Sequence, residues 1–265
     1  MSASPRRALV TGASSGIGEA VARVLDRAGY RLALLARRED KLIELRSQLA
    51  DRDHIVLCCD LSQPDQIRSA LDQVGEAFGG LDLLVNNAGI GYRALVEELE
   101  PEMLEMLLAT NVAAPLLMCQ ASLPWLRQGS DPVVINIASV VGRRGVPGQA
   151  AYSASKAAIC SIGEALRIEW ADDGIAVCTL NPALTATGFF DAQANPGSLP
   201  DPDLTRADPT ESVAEHVLAL DRKPESERSL RWKWTCLGLL SLLMPRWSDR
   251  LLIGRLGGGW RVPER

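Results

Sequence analysis

Apolar residues recur along this chain in short unbroken runs, separated by longer stretches with the three-to-four spacing of helices. Residues 8–11, 31–36, 54–59, 81–87, 133–138 and 175–180 each supply a strand's length of mostly apolar side chains. Residues 19–28, 39–50, 65–78, 101–127 and 150–171 read as helices, the first stopped at Gly29 and the third at Gly79-Gly80. The strands are continuous apolar runs and not alternating ones, which is the pattern of parallel strands covered on both faces. Strand–helix alternation then predicts an α/β, doubly wound, Rossmann-like parallel sheet of about seven strands with right-handed crossovers. Ligands of such sheets sit outside the carboxyl ends of the strands. No repeat or internal boundary interrupts residues 1–265, which read as one domain.

Two short patterns sit where that architecture would place chemistry. The first strand runs into Thr11-Gly12-Ala13-Ser14-Ser15-Gly16-Ile17-Gly18 and then a helix. Glycines let a backbone turn tightly and approach a phosphate, and the helix start beyond offers free N–H groups and partial positive charge. The spacing is G-x-x-x-G-x-G, distinct from the common dinucleotide fingerprint. Farther on, Tyr152 and Lys156 lie four residues apart in a helical stretch, so a phenol and an ammonium share one face. A neighbouring cation is expected to lower a phenol from its usual value near ~10 towards one useful for a carbonyl/alcohol couple. The same pair also fits an ordinary surface helix with a half-buried Tyr.

Composition narrows the classes. A net charge of −5 disfavours a general nucleic-acid-binding surface. No N-terminal secretory pattern is seen, and no apolar run is expected to reach the ~20 residues of a membrane-spanning helix. Cys58, Cys59, Cys119, Cys160 and Cys178 lie in apolar stretches and read as buried thiols in a reducing, cytoplasmic setting. His54 and His216 stand alone, so no metal site is expected.

The ordered set Thr11-Gly12-x-x-x-Gly16-x-Gly18, Asp60, Asn86-Asn87-Ala88-Gly89, Asn111, Ser139, Tyr152, Lys156 and Asn181-Pro182 resembles the short-chain dehydrogenase/reductase family, single-domain branch, over roughly residues 6–190. The resemblance implies that Tyr152 is general acid in reduction and base in oxidation. Lys156 would tune it and hold the nicotinamide ribose, Ser139 would bind the substrate oxygen, and Asn111 would help hold a relay water. It places cofactor contacts at Gly12, Ser14, Ser15, Gly16, Ile17, Gly18, Arg37, Arg38, Asp60, Leu61, Asn87, Ala88, Gly89, Pro182, Thr185 and Thr187, with Tyr152 and Lys156 shared. Asp60 would receive the adenine amino group; its alternative reading is a helix cap ahead of Pro64. Ser139 and Asn111 have bland readings of their own, as a strand-end turn and a kink near Pro115.

The family's NAD-preferring members carry an Asp at the end of the second strand. Here that position falls at Ala36, followed by Arg37-Arg38, and guanidinium groups suit a phosphate. NADP(H) is therefore the expected cofactor. Family analogy sets the substrate near Ile90, Tyr92, Val140, Val141, Gln149, Ala183, Leu184 and Phe189, a mostly apolar wall for a small ketone, aldehyde or alcohol. Arg143 and Arg144 read as a solvated loop. Ala183 stands where the family often has Gly, and residues 192–209 read as a mobile lid. Relatives of this kind assemble as homodimers or homotetramers.

Residues 228–265 form a basic, apolar C-terminal extension. They hold eight Lys/Arg and two Asp/Glu, a net of +6 that leaves −11 for the rest, and four tryptophans, Trp232, Trp234, Trp247 and Trp260. Packing as a last strand and helix, contact with another subunit, and association with a membrane surface all fit. The function expected is hydride transfer to a carbonyl; the rivals are a non-catalytic NADP(H)-binding redox sensor and a membrane or partner adaptor.

Overall fold

A computed structural model describes residues 5–200 and 203–256. In chain order the elements are β1 (Arg7–Thr11), α1 (Gly16–Arg27), β2 (Arg31–Ala36), α2 (Glu39–Ser47), β3 (Ile55–Cys58), α3 (Pro64–Phe78), β4 (Leu83–Asn86), α4 (Pro101–Leu108), α5 (Ala114–Leu126), β5 (Val133–Ile137), α6 (Ala150–Glu169), β6 (Ala176–Asn181), α7 (Phe189–Ala192), α8 (Thr210–Arg222), β7 (Glu227–Ser229), α9 (Trp232–Leu243) and α10 (Pro245–Leu256). The seven strands form one sheet in the order β3-β2-β1-β4-β5-β6-β7, and every neighbouring pair is parallel. The winding reverses between β1 and β4, and a crevice opens there at the strands' carboxyl ends.

Both sheet faces are apolar because successive strand residues point to opposite sides and both sides are covered. Leu32 and Leu34 of β2 join the core built with α1 and α8, whereas Ala33 and Leu35 join the core built with α3, α5 and α6. The doubly wound fold expected from the alternation is thus the fold found. α1 begins at Gly16, three residues earlier than expected, because the glycine turn itself starts the helix.

The stretch expected as one helix over 101–127 is a rod broken by a π turn at Ala109–Ala113. Pro115 has no N–H to give the Asn111 carbonyl four residues earlier, so the α pattern cannot continue through this point. By length and composition alone the rod Pro101–Leu126 could cross a membrane, which corrects the expectation that no run is long enough. Its inner side, with Met118, Cys119 and Leu126, packs in the core under the sheet, and Met106, Leu108 and Leu116 stay exposed.

The C-terminal segment adds β7 to the sheet and lays α9 and α10 on the body, where Leu237, Leu252 and Trp234 meet Val141 and Val146. Trp260 lies outside the described residues, as do residues 1–4 of the N-terminal reading. Arg143 and Arg144 are not on a solvated loop. Arg143 pairs with Glu164 and Glu227, and Arg144 with Asp249, because this segment folds back over them. Nor is Cys58 buried: it stands exposed on β3, the sheet's outer strand, and its Sγ donates to Arg37 O at 3.4 Å. Of residues 192–209, expected as a mobile lid, Ala194 bridges to Tyr92, Asp208 bridges to Thr185, and Asn195 makes two bonds with Leu199.

Candidate active site

The crevice starts at the end of β1. The Thr11 hydroxyl accepts from the N–H groups of Asn87 (2.9 Å) and Ala88 (3.0 Å) and donates to Val85 O (3.2 Å), which fastens β1 to β4. Asn87 Nδ2 donates to Thr11 O at 2.8 Å. Gly12 turns with φ +67°, and a Cβ on Gly18 would stand 2.3 Å from Gly12 O and 2.6 Å from Asn87 Nδ2. The turn therefore closes only on hydrogen, leaving a cradle of backbone beside the first turn of α1, which follows extended Ser15 and runs through Ile17. Thr187 reaches the same turn from the β6 side, 3.3 Å from where a Gly16 Cβ would be.

Arg38 is folded across this cradle. It donates to Ser14 Oγ at 3.0 Å, Ser14 O at 3.2 Å and Ser15 Oγ at 2.7 Å, while Ala36 is buried at the end of β2. Arg37 is exposed on the side of Asp60. Asp60 Oδ1 receives the N–H (3.0 Å) and hydroxyl (2.9 Å) of Ser62; those bonds, helped by Arg37, hold its carboxyl below the usual range. The turn ahead of α3 is its observed work here, with Leu61 buried beneath. Pro182 is buried and accepts from Val140 N–H at 3.0 Å, and Thr185 is buried and donates to Ala183 O at 3.1 Å.

The second half of the crevice belongs to α6 and its neighbours. Tyr152 is half-buried with its ring 5.8 Å from that of Phe189, and Lys156 is buried one turn on. The ammonium donates to Ile137 O at 3.0 Å and stands 5.8 Å from the Tyr152 ring centroid. Burial pushes the phenol well above its usual value, opposed by a hydrogen bond from Ser139. Burial also brings Lys156 down to about 8, against a smaller opposing influence of Cys160. The expected lowering of the phenol by Lys156 is not seen: burial is the largest influence on Tyr152, and the ammonium, whose bond is turned to a backbone carbonyl, is not among the groups acting on it.

Ser139 follows β5 with extended backbone and caps the short turn Val140–Gly142 by accepting from Val141 N–H at 3.4 Å. Asn111, presented by the π turn, is buried. Its Oδ1 accepts from Ile90 N–H at 2.8 Å, and its Nδ2 donates to Ile90 O at 2.9 Å and Ser155 Oγ at 3.1 Å. A Cβ on Gly89 would lie 3.2 Å from Asn111 Oδ1 and 3.5 Å from Lys156 Nζ, so a side chain there would crowd both groups. Ser155, which also donates to Tyr152 O at 2.8 Å, escaped the sequence reading. A second serine within one turn of Tyr152 and Lys156 was the available signal. Tyr92 is no pocket residue: it is fully buried and its hydroxyl accepts from Glu100 N–H at 2.7 Å.

The structure therefore gathers Asn111, Ser139, Tyr152, Lys156, Asn87, Ala88, Gly89, Thr187 and the glycine turn around one crevice. It leaves Arg37 and Asp60 at the rim. Among the described residues no three His, Cys, Asp or Glu side chains are gathered as a metal ion would need.

Comparison with known proteins places these residues in a larger set. The family model for short chain dehydrogenase matches residues 6–196. An uncharacterized oxidoreductase of Mycobacterium tuberculosis (strain ATCC 25618 / H37Rv) is 33% identical over 251 residues, spanning 92% of this chain and 96% of its own length. Among solved structures, a short-chain dehydrogenase of Streptomyces avermitilis superposes with a TM-score of 0.81 at 29% identity, covering 98% of this chain and all of its own (100%). An alcohol dehydrogenase of Thermococcus sibiricus, complexed with 5-hydroxy-NADP, gives 0.77 at 29% identity over 85% of this chain and 96% of its own.

Proposed function

The chain belongs to the short chain dehydrogenase family of oxidoreductases, and from that premise we propose that it is an NADP(H)-dependent reductase of ketones or aldehydes. The observation that carries the proposal is the meeting of Ser139, Tyr152 and Lys156 across the sheet's switch point from a glycine cradle. The turn closes only without a Cβ at Gly12 or Gly18, which leaves bare backbone that a dinucleotide can approach closely. When bound, the nicotinamide supplies the hydride.

The chain's own residues do the rest. The Ser139 hydroxyl and the Tyr152 phenol converge, so both can hydrogen-bond one carbonyl oxygen and stabilise the charge that grows on it. The raised phenol is protonated at neutral pH, which suits it to giving a proton in the reductive direction. Lys156, next to Gly89, is placed to hold ribose hydroxyls and to return a proton to Tyr152. The Asn111 side chain is already committed to Ile90 and Ser155, so its part is to fix the β4 loop against α6. Phe189 and Phe190, with ring centroids 5.6 Å apart, form an apolar wall beside Tyr152 and suit a substrate with an aliphatic or cyclic body.

The preference for NADP(H) rests on Arg38 lying over Ser14 and Ser15 and on a β2 end, Ala36, that has no carboxylate to repel a 2′-phosphate. Exposed Met106, Leu108 and Leu116 give the α4–α5 rod apolar surface suited to a second copy of the chain.

A panel of ketones and aldehydes incubated with NADPH and followed by absorbance tests the activity. Turnover by the wild type, lost in Tyr152→Phe while NADPH binding persists, is the expected result. A wild type that binds NADPH and turns over no carbonyl would instead favour the redox-sensor reading.

A further inference from the structure

The α9–α10 hairpin has an inner face packed on the body and, among the described residues, an outer face left exposed. Inward, Leu237 and Leu252 pack with Val146, and Arg144 holds Ser248 and Asp249. Outward, Trp232 is 69% exposed, Leu242 80%, Leu243 83% and Trp247 57%, with Leu239, Met244 and Leu251 exposed among them. The large apolar residues left open here are thus concentrated within twenty positions that the fold anchors firmly to its body.

Charge decides what covers them. Beside these apolar side chains stand Lys233 and Arg250, and the carboxylate of Asp249 is already held by Arg144, whereas the whole chain is at −5. Lys233 lies over the Trp232 ring at 5.8 Å and Arg250 over Trp247 at 5.9 Å, so cation and aromatic side chains are interleaved on the same surface. A second copy meeting this face would set like charges together with no carboxylate left to pair among the described residues of the patch. An anionic surface that also admits apolar side chains satisfies both features. We propose that the α9–α10 hairpin docks the protein on the headgroup layer of anionic lipid bilayers. The Leu242–Leu243 corner would be inserted, with Lys233 and Arg250 on the phosphates. This inference is independent of the catalytic reading.

Co-sedimentation of the full chain with phosphatidylcholine vesicles, with and without phosphatidylglycerol, tests it. Binding is expected only with phosphatidylglycerol and should fall at high salt, where screening shortens to ~3 Å. Lys233→Gln/Arg250→Gln should weaken it by roughly tenfold or more. Leu242→Ser/Leu243→Ser should abolish it with unchanged oligomeric mass, since both side chains are exposed and the fold does not depend on them. A wild type that ignores anionic vesicles overturns the proposal. So does a serine variant whose binding persists, or one whose oligomeric mass falls. Should the serine variant fail to fold, the charge variant decides alone.

Discussion

Lys156 sits one helical turn from Tyr152, yet its ammonium is bonded to Ile137 O at 3.0 Å and lies 5.8 Å from the phenol ring. Two groups that share a helix face are therefore divided between two tasks. Burial holds Lys156 down to about 8, and a lysine below its usual value keeps its charge only beneath that pH. The rate of carbonyl reduction at limiting substrate should thus decline as pH rises through about 8. Lys156→Arg, which stays charged, should move that limb upward. A profile of kcat/KM against pH checks it, and coincident limbs in wild type and variant would refute the assignment.

Cofactor choice should hinge on one side chain. Arg38→Gln removes the charge laid over Ser14 and Ser15. Charge-assisted bonds contribute about 1.5–3 kcal/mol, so KM for NADPH should rise roughly 10- to 100-fold. KM for NADH should stay near its wild-type value. Equal changes for the two cofactors would mean that Arg38 supports the turn and does not read the 2′-phosphate.

The glycine cradle should tolerate no methyl group. Gly18→Ala places a Cβ 2.3 Å from Gly12 O, a backbone atom that cannot swing aside. A loss of NADPH affinity with roughly 1–3 kcal/mol of stability is expected, read by fluorescence titration and urea unfolding. Gly254→Ala is the control. No atom of the described residues lies within 4 Å of a Cβ there, and its place in α10 should yield a gain of about 0.5–1 kcal/mol.

The sheet and the crevice were legible because apolar runs, glycine turns and the Tyr152–Lys156 spacing are local patterns. The parallel, doubly wound arrangement followed from the alternation of those runs with helices. What was not legible depended on distant contacts. The protonation of Tyr152 is set by how much of the body covers it, which no four-residue spacing reports. Arg143 and Arg144 looked solvated because Glu227 and Asp249, their partners, lie 84 and 105 residues away. Cys58 looked buried because an edge strand and a central one share the same apolar run, and only the sheet order separates them. The π turn at Asn111 is an intermediate case: Pro115 signalled a break but not that the break would carry a side chain into the site.

Stability should depend on a pair at the opposite end of the sheet. Asp82 is buried and accepts from Arg7 N–H (2.7 Å), Nε (3.0 Å) and Nη2 (2.8 Å), and from Ser130 N–H (2.7 Å). Burial alone would raise its carboxyl, but those bonds overcome burial and hold it below the usual range. A depressed carboxyl contributes stability that is complete above the unfolded value near ~4 and is lost as pH falls through the lower folded value. Asp82→Asn leaves the largely buried Arg7 guanidinium without its counter-charge, which should cost roughly 3 kcal/mol at neutral pH. The variant should also lose part of the acid sensitivity, so the two proteins should differ less at pH ~3 than at pH ~7. Urea midpoints at those two pH values measure both effects. A constant difference between them would show that the carboxylate's charge contributes nothing and that Asp82 acts through shape and neutral hydrogen bonds alone.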